Sequence, residues 1–174
     1  IGTSLVQRLA ATGHQLFLIP GPKSAGLAES SAMGVHKLSE FGDVWQLGRI
    51  DCIVNLATHF SINSPPPLAQ MVDANVLLGM RLLEFAARDR PRFVTTNSWW
   101  QLAPSERGLA YSASKHAFSA AASMYAQVFH FELHQVFICD TYGPGDTRGK
   151  LLTSLLNAAR NGDDLEVQDP DAYL

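Results

Sequence analysis

Cysteine is scarce in this chain of 174 residues, which has two, Cys52 and Cys139. Neither belongs to a CxxC pair or has a histidine at ligand spacing, which excludes a disulfide scaffold and a cysteine-built zinc site. Both lie in apolar runs and are expected to be reduced core residues. The six histidines are scattered, with no acid or cysteine at ligand spacing, so no metal site is expected. A surplus of positive charge is also missing. Thirteen Lys and Arg against sixteen Asp and Glu leave a net charge of -3, which gives no electrostatic basis for binding nucleic acid. Apolar runs such as 50–57 fall far short of the ~20 residues of a membrane span. No basic n-region precedes an apolar h-region, and a soluble cytoplasmic protein is expected. Repeats and low-complexity segments are absent, and so is an initiator methionine. The chain starts at Ile1 inside a helical pattern and reads as a fragment.

What is present describes a globular domain. Hydrophobic residues make up 47% and charged residues 17% of the chain, and the length suffices for one sizeable core. Residues 1–12 carry apolar side chains at a helical period, closed by Gly13. A short strand is expected at 15–19, a weaker one at 34–37, and a short helix at 43–47. Residues 51–57, DCIVNLA, form a continuous β-prone run of the kind a fully covered parallel strand shows. Pro65, Pro66 and Pro67 suit a helix's first turn, and the helical pattern after them reaches Asp89. Strands at 92–96 and 136–139 flank a long helix that ends near His130. A helix at 149–161 and a last strand at 165–168 complete the pattern. This alternation predicts an α/β fold, a doubly wound parallel sheet of Rossmann-like type lacking its first strand. Such sheets bind ligands at the carboxyl ends of their strands. Thr58, His59, Asn97, Ser98, Tyr142 and Gly143 all fall there.

The stretch YSASK, 111–115, carries the strongest chemical signal. Residues four apart stack on one face of a helix, so Tyr111 and Lys115 are neighbours. A free tyrosine is a poor base at neutral pH, and an ammonium beside it favours the phenolate. At an effective dielectric of about 20, a charge ~4 Å away is worth roughly 4 kcal/mol before any desolvation cost. The bare YxxxK pattern also occurs in exposed surface helices, so its weight comes from its surroundings.

Those surroundings resemble the extended short-chain dehydrogenase/reductase family, also described as NAD-dependent epimerases and dehydratases, over nearly the whole chain. Ile1-Gly2 looks like the end of the family's TGxxGxIG loop, with Gly2 as its third glycine. NLAT, 55–58, looks like the strand-end NLAA, and Asn75 stands where an NV motif places asparagine. FVTTNS ends at Ser98, where the family has its catalytic serine or threonine. DTYGPGDTR resembles the YGP loop. The run TTNSWWQ and the short gap from Ser98 to Tyr111 are most similar to the CDP-abequose synthase-like nucleotide-sugar reductases.

The resemblance implies a catalytic triad of Ser98, Tyr111 and Lys115. It implies cofactor contacts from Gly2, Leu56, Ala57, Thr58, Asn75, Thr96, Tyr111, Lys115 and Tyr142, and substrate contacts from Ser98, Trp99 and Arg148. In a ketone reduction negative charge grows on oxygen and needs a donor there. Tyr111 would give the proton and Ser98 a hydrogen bond. The end of the second strand, LFLIPGPKS, has no acid for a ribose hydroxyl. Lys23 is available for a 2'-phosphate, which favours NADP over NAD, although it also suits a solvated loop. His59 suits a substrate contact or a polar strand end, Trp99 and Trp100 a sugar wall or loop packing, Arg148 and Lys150 a diphosphate or solvent.

The expected activity is NAD(P)-dependent reduction of a 4-keto deoxysugar nucleotide. An epimerase or dehydratase with recycled NAD is the alternative enzyme, and a non-catalytic NAD(P)-binding sensor or scaffold is the alternative outside enzymology. Residues 1–147 are expected to form the dinucleotide-binding domain, and 148–174 the start of a substrate-binding region. The Tyr111 helix is apolar around much of its circumference, which implies a second buried surface. In this family that surface commonly makes a homodimer.

Overall fold

A computed structural model of the protein describes residues 1–19, 33–61, 65–139, 141–143 and 150–166. They belong to two compact units, Ile1–Phe137 and Ile138–Leu174. The first opens with helix α1 (Gly2–Ala11) and strand β1 (Leu16–Leu18). Gly13 turns the chain between them at φ +82°, a left-handed conformation that costs glycine little because it has no Cβ. Strand β2 (Val35–Lys37) pairs with β1 in parallel, Leu16 opposite Val35. The short helix expected at 43–47 is a 3-10 segment, Phe41–Gln46. Asp43 starts it by accepting the Glu40 backbone N–H at 3.0 Å, one arm of a capping box.

A second sheet has the order β3 (Cys52–Asn55), β4 (Arg92–Ser98), β5 (Leu133–Ile138). β3 and β4 run parallel, with Val54 opposite Val94. Parallel strands joined through helices give the doubly wound type of fold, with the described strands divided between two sheets.

The connection from β3 to β4 is one long helix in three parts. Helix α2 (Leu68–Val72) passes into a π-turn, Asp73–Leu77, and then into α3 (Leu78–Asp89). Val72, Asp73 and Leu78 all keep right-handed helical angles, so the axis continues through the turn. The three prolines precede the helix, with Pro67 as its N-cap.

Helix α4 (Leu109–Phe129) follows a 3-10 turn, Glu106–Gly108. A Cβ on Gly108 would lie 2.0 Å from two ring carbons of Trp100, so glycine alone lets the indole rest against the helix start. The core lies where α3 and α4 meet β4, built from Leu82, Leu83, Ala86, Phe93, Phe118, Ala122 and Phe131. Phe93 packs 6.5 Å from Phe118 and 6.2 Å from Phe131 between ring centroids. Each such buried side chain stabilises the fold by about 1.5–3 kcal/mol.

Two expectations are corrected here. Cys52 and Cys139 are both exposed. Strand side chains alternate between faces: Ile53 packs against the core cluster, while Cys52 and Val54 point the other way and stay exposed. The β-prone run is thus covered on one face, and Cys139 stands just past the end of β5. In the second unit, α5 (Leu151–Asn161) ends at Gly162 with φ +75°. Leu165 and Glu166 form no strand, and residues 167–168 lie outside the described residues. Among the described residues no helix is long and apolar enough to cross a membrane.

Candidate active site

The carboxyl end of β4 and the first two turns of α4 meet at one place, because side chains of α4 reach the backbone of β4 and of the turn that follows it. Lys115 Nζ donates to the Thr96 carbonyl oxygen at 3.1 Å. Ser112 Oγ donates to the Trp100 carbonyl oxygen at 2.9 Å. This fixes Ser98, Tyr111 and Lys115 on adjoining elements. All three are buried, at 8%, 8% and 4% exposure, so the YxxxK pair is no surface pair.

The strand continues two residues past its expected end and stops at Ser98, which caps the 3-10 turn Trp99–Gln101. Ser98 Oγ accepts the Trp100 N–H at 3.3 Å. Its own proton has no acceptor among the described residues and is available to a ligand. The Tyr111 hydroxyl likewise has no hydrogen-bond partner among them. Lys115 has three N–H donors, of which Thr96 takes one. Burial pushes the Lys115 pKa from its ordinary 10.5 down to about 8, because an ammonium loses hydration there. The site therefore holds a cation at a cost, with N–H donors to spare.

Asn75 ties this region to β3. It sits in the π-turn, 2% exposed, and a π-turn rotates one side chain out of the α-helical register. Its Oδ1 accepts the His59 N–H at 2.6 Å, while Nδ2 donates to the His59 carbonyl at 3.0 Å and to Ser114 Oγ at 2.8 Å. Ser114 Oγ in turn donates to the Tyr111 carbonyl at 2.7 Å. The amide is committed to protein partners and holds the strand-end loop. His59 takes part through its backbone.

Phe60, which the sequence did not single out, follows from that clamp. Its ring stands edge-on to Tyr111 at 4.9 Å and to Trp100 at 5.5 Å, while half of it stays exposed. Gln101 was also missed. It is 5% exposed, and its Oε1 accepts the Ser98 N–H at 2.7 Å. The spacing Ser-x-x-Gln at a strand end was the readable signal.

The other predicted residues are distributed around this centre or away from it. Leu56 lies beside α1, since a Cβ on Gly2 would come 3.8 Å from Leu56 Cδ1. The Ala57 N–H is held by Asn55 Oδ1 at 3.2 Å, and Thr58 is exposed. Trp99 is half exposed, next to Ser98. Asn97 belongs to a separate polar knot, its Nδ2 donating to Gln135 Oε1 at 2.8 Å and to Ser119 Oγ at 3.3 Å. Tyr142 is exposed in the second unit. Lys23 and Arg148 lie outside the described residues. Among those described, no group of three His, Cys, Asp or Glu is arranged to hold a metal.

A family model of the NAD-dependent epimerase/dehydratase type matches residues 1–171. The chain belongs to that family. Members of that family are described as NAD-dependent. It is 24% identical over 129 residues to a CDP-abequose synthase of Yersinia pseudotuberculosis, which covers 71% of this chain and 45% of that one. Its fold is similar to UDP-glucuronic acid 4-epimerase from Bacillus cereus in complex with NAD. There the TM-score is 0.66 at 16% identity, covering 95% of this chain and 62% of the epimerase. A 4-hydroxyisoleucine dehydrogenase complexed with NADH has a TM-score of 0.59 at 17% identity, covering 75% and 65% of the two chains. The chain thus spans about half the length of the curated relative it matches.

Proposed function

We propose that the whole protein reduces a 4-keto deoxysugar nucleotide, with Ser98, Tyr111 and Lys115 as its catalytic residues. The observation that carries this reading is the burial of all three where β4 meets α4, each with hydrogen-bonding capacity left over. Negative charge developing on a carbonyl oxygen is best met by donors already in place. Ser98 donates a hydrogen bond to that oxygen while its Oγ is steadied by the Trp100 N–H. Tyr111 delivers a proton to the same oxygen from the neighbouring helix turn. Lys115 supports the phenolate left behind and offers its free N–H groups to ribose hydroxyls.

A bound nicotinamide supplies the hydride. The donor set suits a dinucleotide: a buried ammonium with two free donors and the N-terminus of α1 at Gly2 beside Leu56, with Ala57, Thr58 and Thr96 near the carboxyl ends of β3 and β4 as contacts rather than free donors. Asn75 acts on the cofactor through the His59 loop it clamps, and for Tyr142 a cofactor contact is assigned from the family resemblance alone. NADP is favoured by Lys23 and by the lack of an acid after β1. Trp99, beside Ser98, is assigned to the nucleotide sugar, and for Arg148 the same assignment rests on the family resemblance alone. Residues 1–147 form the dinucleotide-binding domain and 148–174 begin the substrate-binding region.

The protein is cytoplasmic and works as a homodimer through α4, where Met124 and Val128 are each 66% exposed. The test of the activity uses the full-length protein with a panel of 4-keto-6-deoxy nucleotide sugars, following NADPH absorbance in wild type and Tyr111→Phe. Stoichiometric NADPH consumption, lost in the variant, is the expected result. Tyrosine-dependent conversion without net NADPH loss would replace the reductase with an epimerase or dehydratase.

A further inference from the structure

We infer that Gln101, in a turn clipped to α4 by Ser112 and His116, is the positioning residue that aims the Ser98 hydroxyl. The inference rests on the catalytic reading of Ser98 given above.

Ser98 ends a strand, where the backbone loses its ladder and would be free to swing. Four hydrogen bonds prevent this. The Ser98 N–H is taken by Gln101 Oε1 at 2.7 Å. Ser98 Oγ is taken by the Trp100 N–H at 3.3 Å. The Trp100 carbonyl receives Ser112 Oγ at 2.9 Å, and the Gln101 carbonyl lies 2.9 Å from His116 Nε2. A carbonyl oxygen only accepts, so His116 carries its proton on Nε2.

Ser112 and His116 each follow one residue after Tyr111 and Lys115. One residue is a rotation of about 100° on a helix. Two adjacent stripes of α4 therefore divide the work: Tyr111 and Lys115 serve the reacting oxygen, and Ser112 and His116 hold the turn that carries Ser98. The helix that places the proton donor thus also sets where the second donor points. Gln101 is the element common to both ends of the clip, since its side chain binds Ser98 and its carbonyl binds His116. At 5% exposure it has no competing solvent contact. Losing its acceptor frees Ser98 N and lets Oγ move, and a misplacement on the order of 1 Å costs about a hundredfold in rate.

The test is a double-mutant cycle in the full-length enzyme with NADPH and its ketone substrate. Gln101→Ala is expected to lower kcat by about ten- to a hundredfold with KM changed little, and Gln101→Glu, which keeps the acceptor for Ser98 N, is expected to recover most of that loss. In a Ser98→Ala background the further effect of Gln101→Ala should vanish, since there is no hydroxyl left to aim. An additive loss in that background, with Ser98→Ala itself impaired, overturns the positioning role and leaves the triad standing. Full turnover in Ser98→Ala alone overturns the triad reading, and the positioning role with it.

Discussion

Replacing Lys115 with methionine should make the protein more stable near neutral pH while removing its activity. Burial lowers the lysine pKa from 10.5 to about 8. At about 1.4 kcal/mol per pH unit, holding the ammonium in place costs about 3 kcal/mol relative to the neutral amine. Methionine has a similar stem, no charge, and adapts to irregular space. Its one penalty is the Thr96 carbonyl, which loses the donor now 3.1 Å away and is worth about 1 kcal/mol. The net gain is about 2 kcal/mol.

The pH dependence gives the reasoning its sharper test. Between about pH 8 and 10.5 the unfolded chain keeps the lysine proton while the folded chain releases it. The unfolded state then binds more protons, so wild-type stability rises with pH across that window. The advantage of Lys115→Met is thus full below about pH 8 and gone by about pH 10.5. Paired urea unfolding of the two full-length proteins, free of cofactor, over that range measures it. A variant less stable than wild type at neutral pH, or a gap that does not narrow with rising pH, would refute the account.

Gly79→Ala should destabilise the protein although alanine favours helix. The gain is about 1 kcal/mol, but a Cβ on Gly79 would lie 2.3 Å from Phe118 Cε2, and that ring is buried with nowhere to move. Overpacking of this kind costs about 1–3 kcal/mol, and adding Phe118→Leu should recover the loss in thermal unfolding. Asn75→Ala removes three hydrogen bonds at once and should cost about 2–4 kcal/mol in urea unfolding. Asn75→Asp, which keeps the acceptor for the His59 N–H and loses both donors, should restore only part of it.

Much of this architecture was legible from residue order because it rests on local signals. The apolar period over 1–12, the Gly13 stop and the alternation of strand with helix describe α1 and the sheets to within a few residues. Tyr111 and Lys115 were visible because helix spacing alone makes them neighbours. What escaped depends on contacts between distant segments. The exposure of Cys52 could not be read from its apolar run, since which face of β3 meets α3 is settled by packing. Phe60 reaches Tyr111 only because Asn75 clamps the His59 backbone from a π-turn, and no propensity announces that turn. Gln101 was readable as the fourth residue of a capping box, but its meeting with His116 was not.

The π-turn at Asp73–Leu77 carries one residue more than regular winding needs, and this sets how the segment tolerates change in length. Deleting one residue there would restore an ordinary α-helix and preserve every apolar residue of α3. It would also remove the wide turn that carries Asn75 out of the α-helical register, moving the Asn75 position away from His59. Amino acids within this stretch are therefore open to substitution wherever they face solvent, while its residue count is not open to change. Comparing a one-residue deletion with point substitutions would separate the demand for a particular side chain from the demand for a particular register.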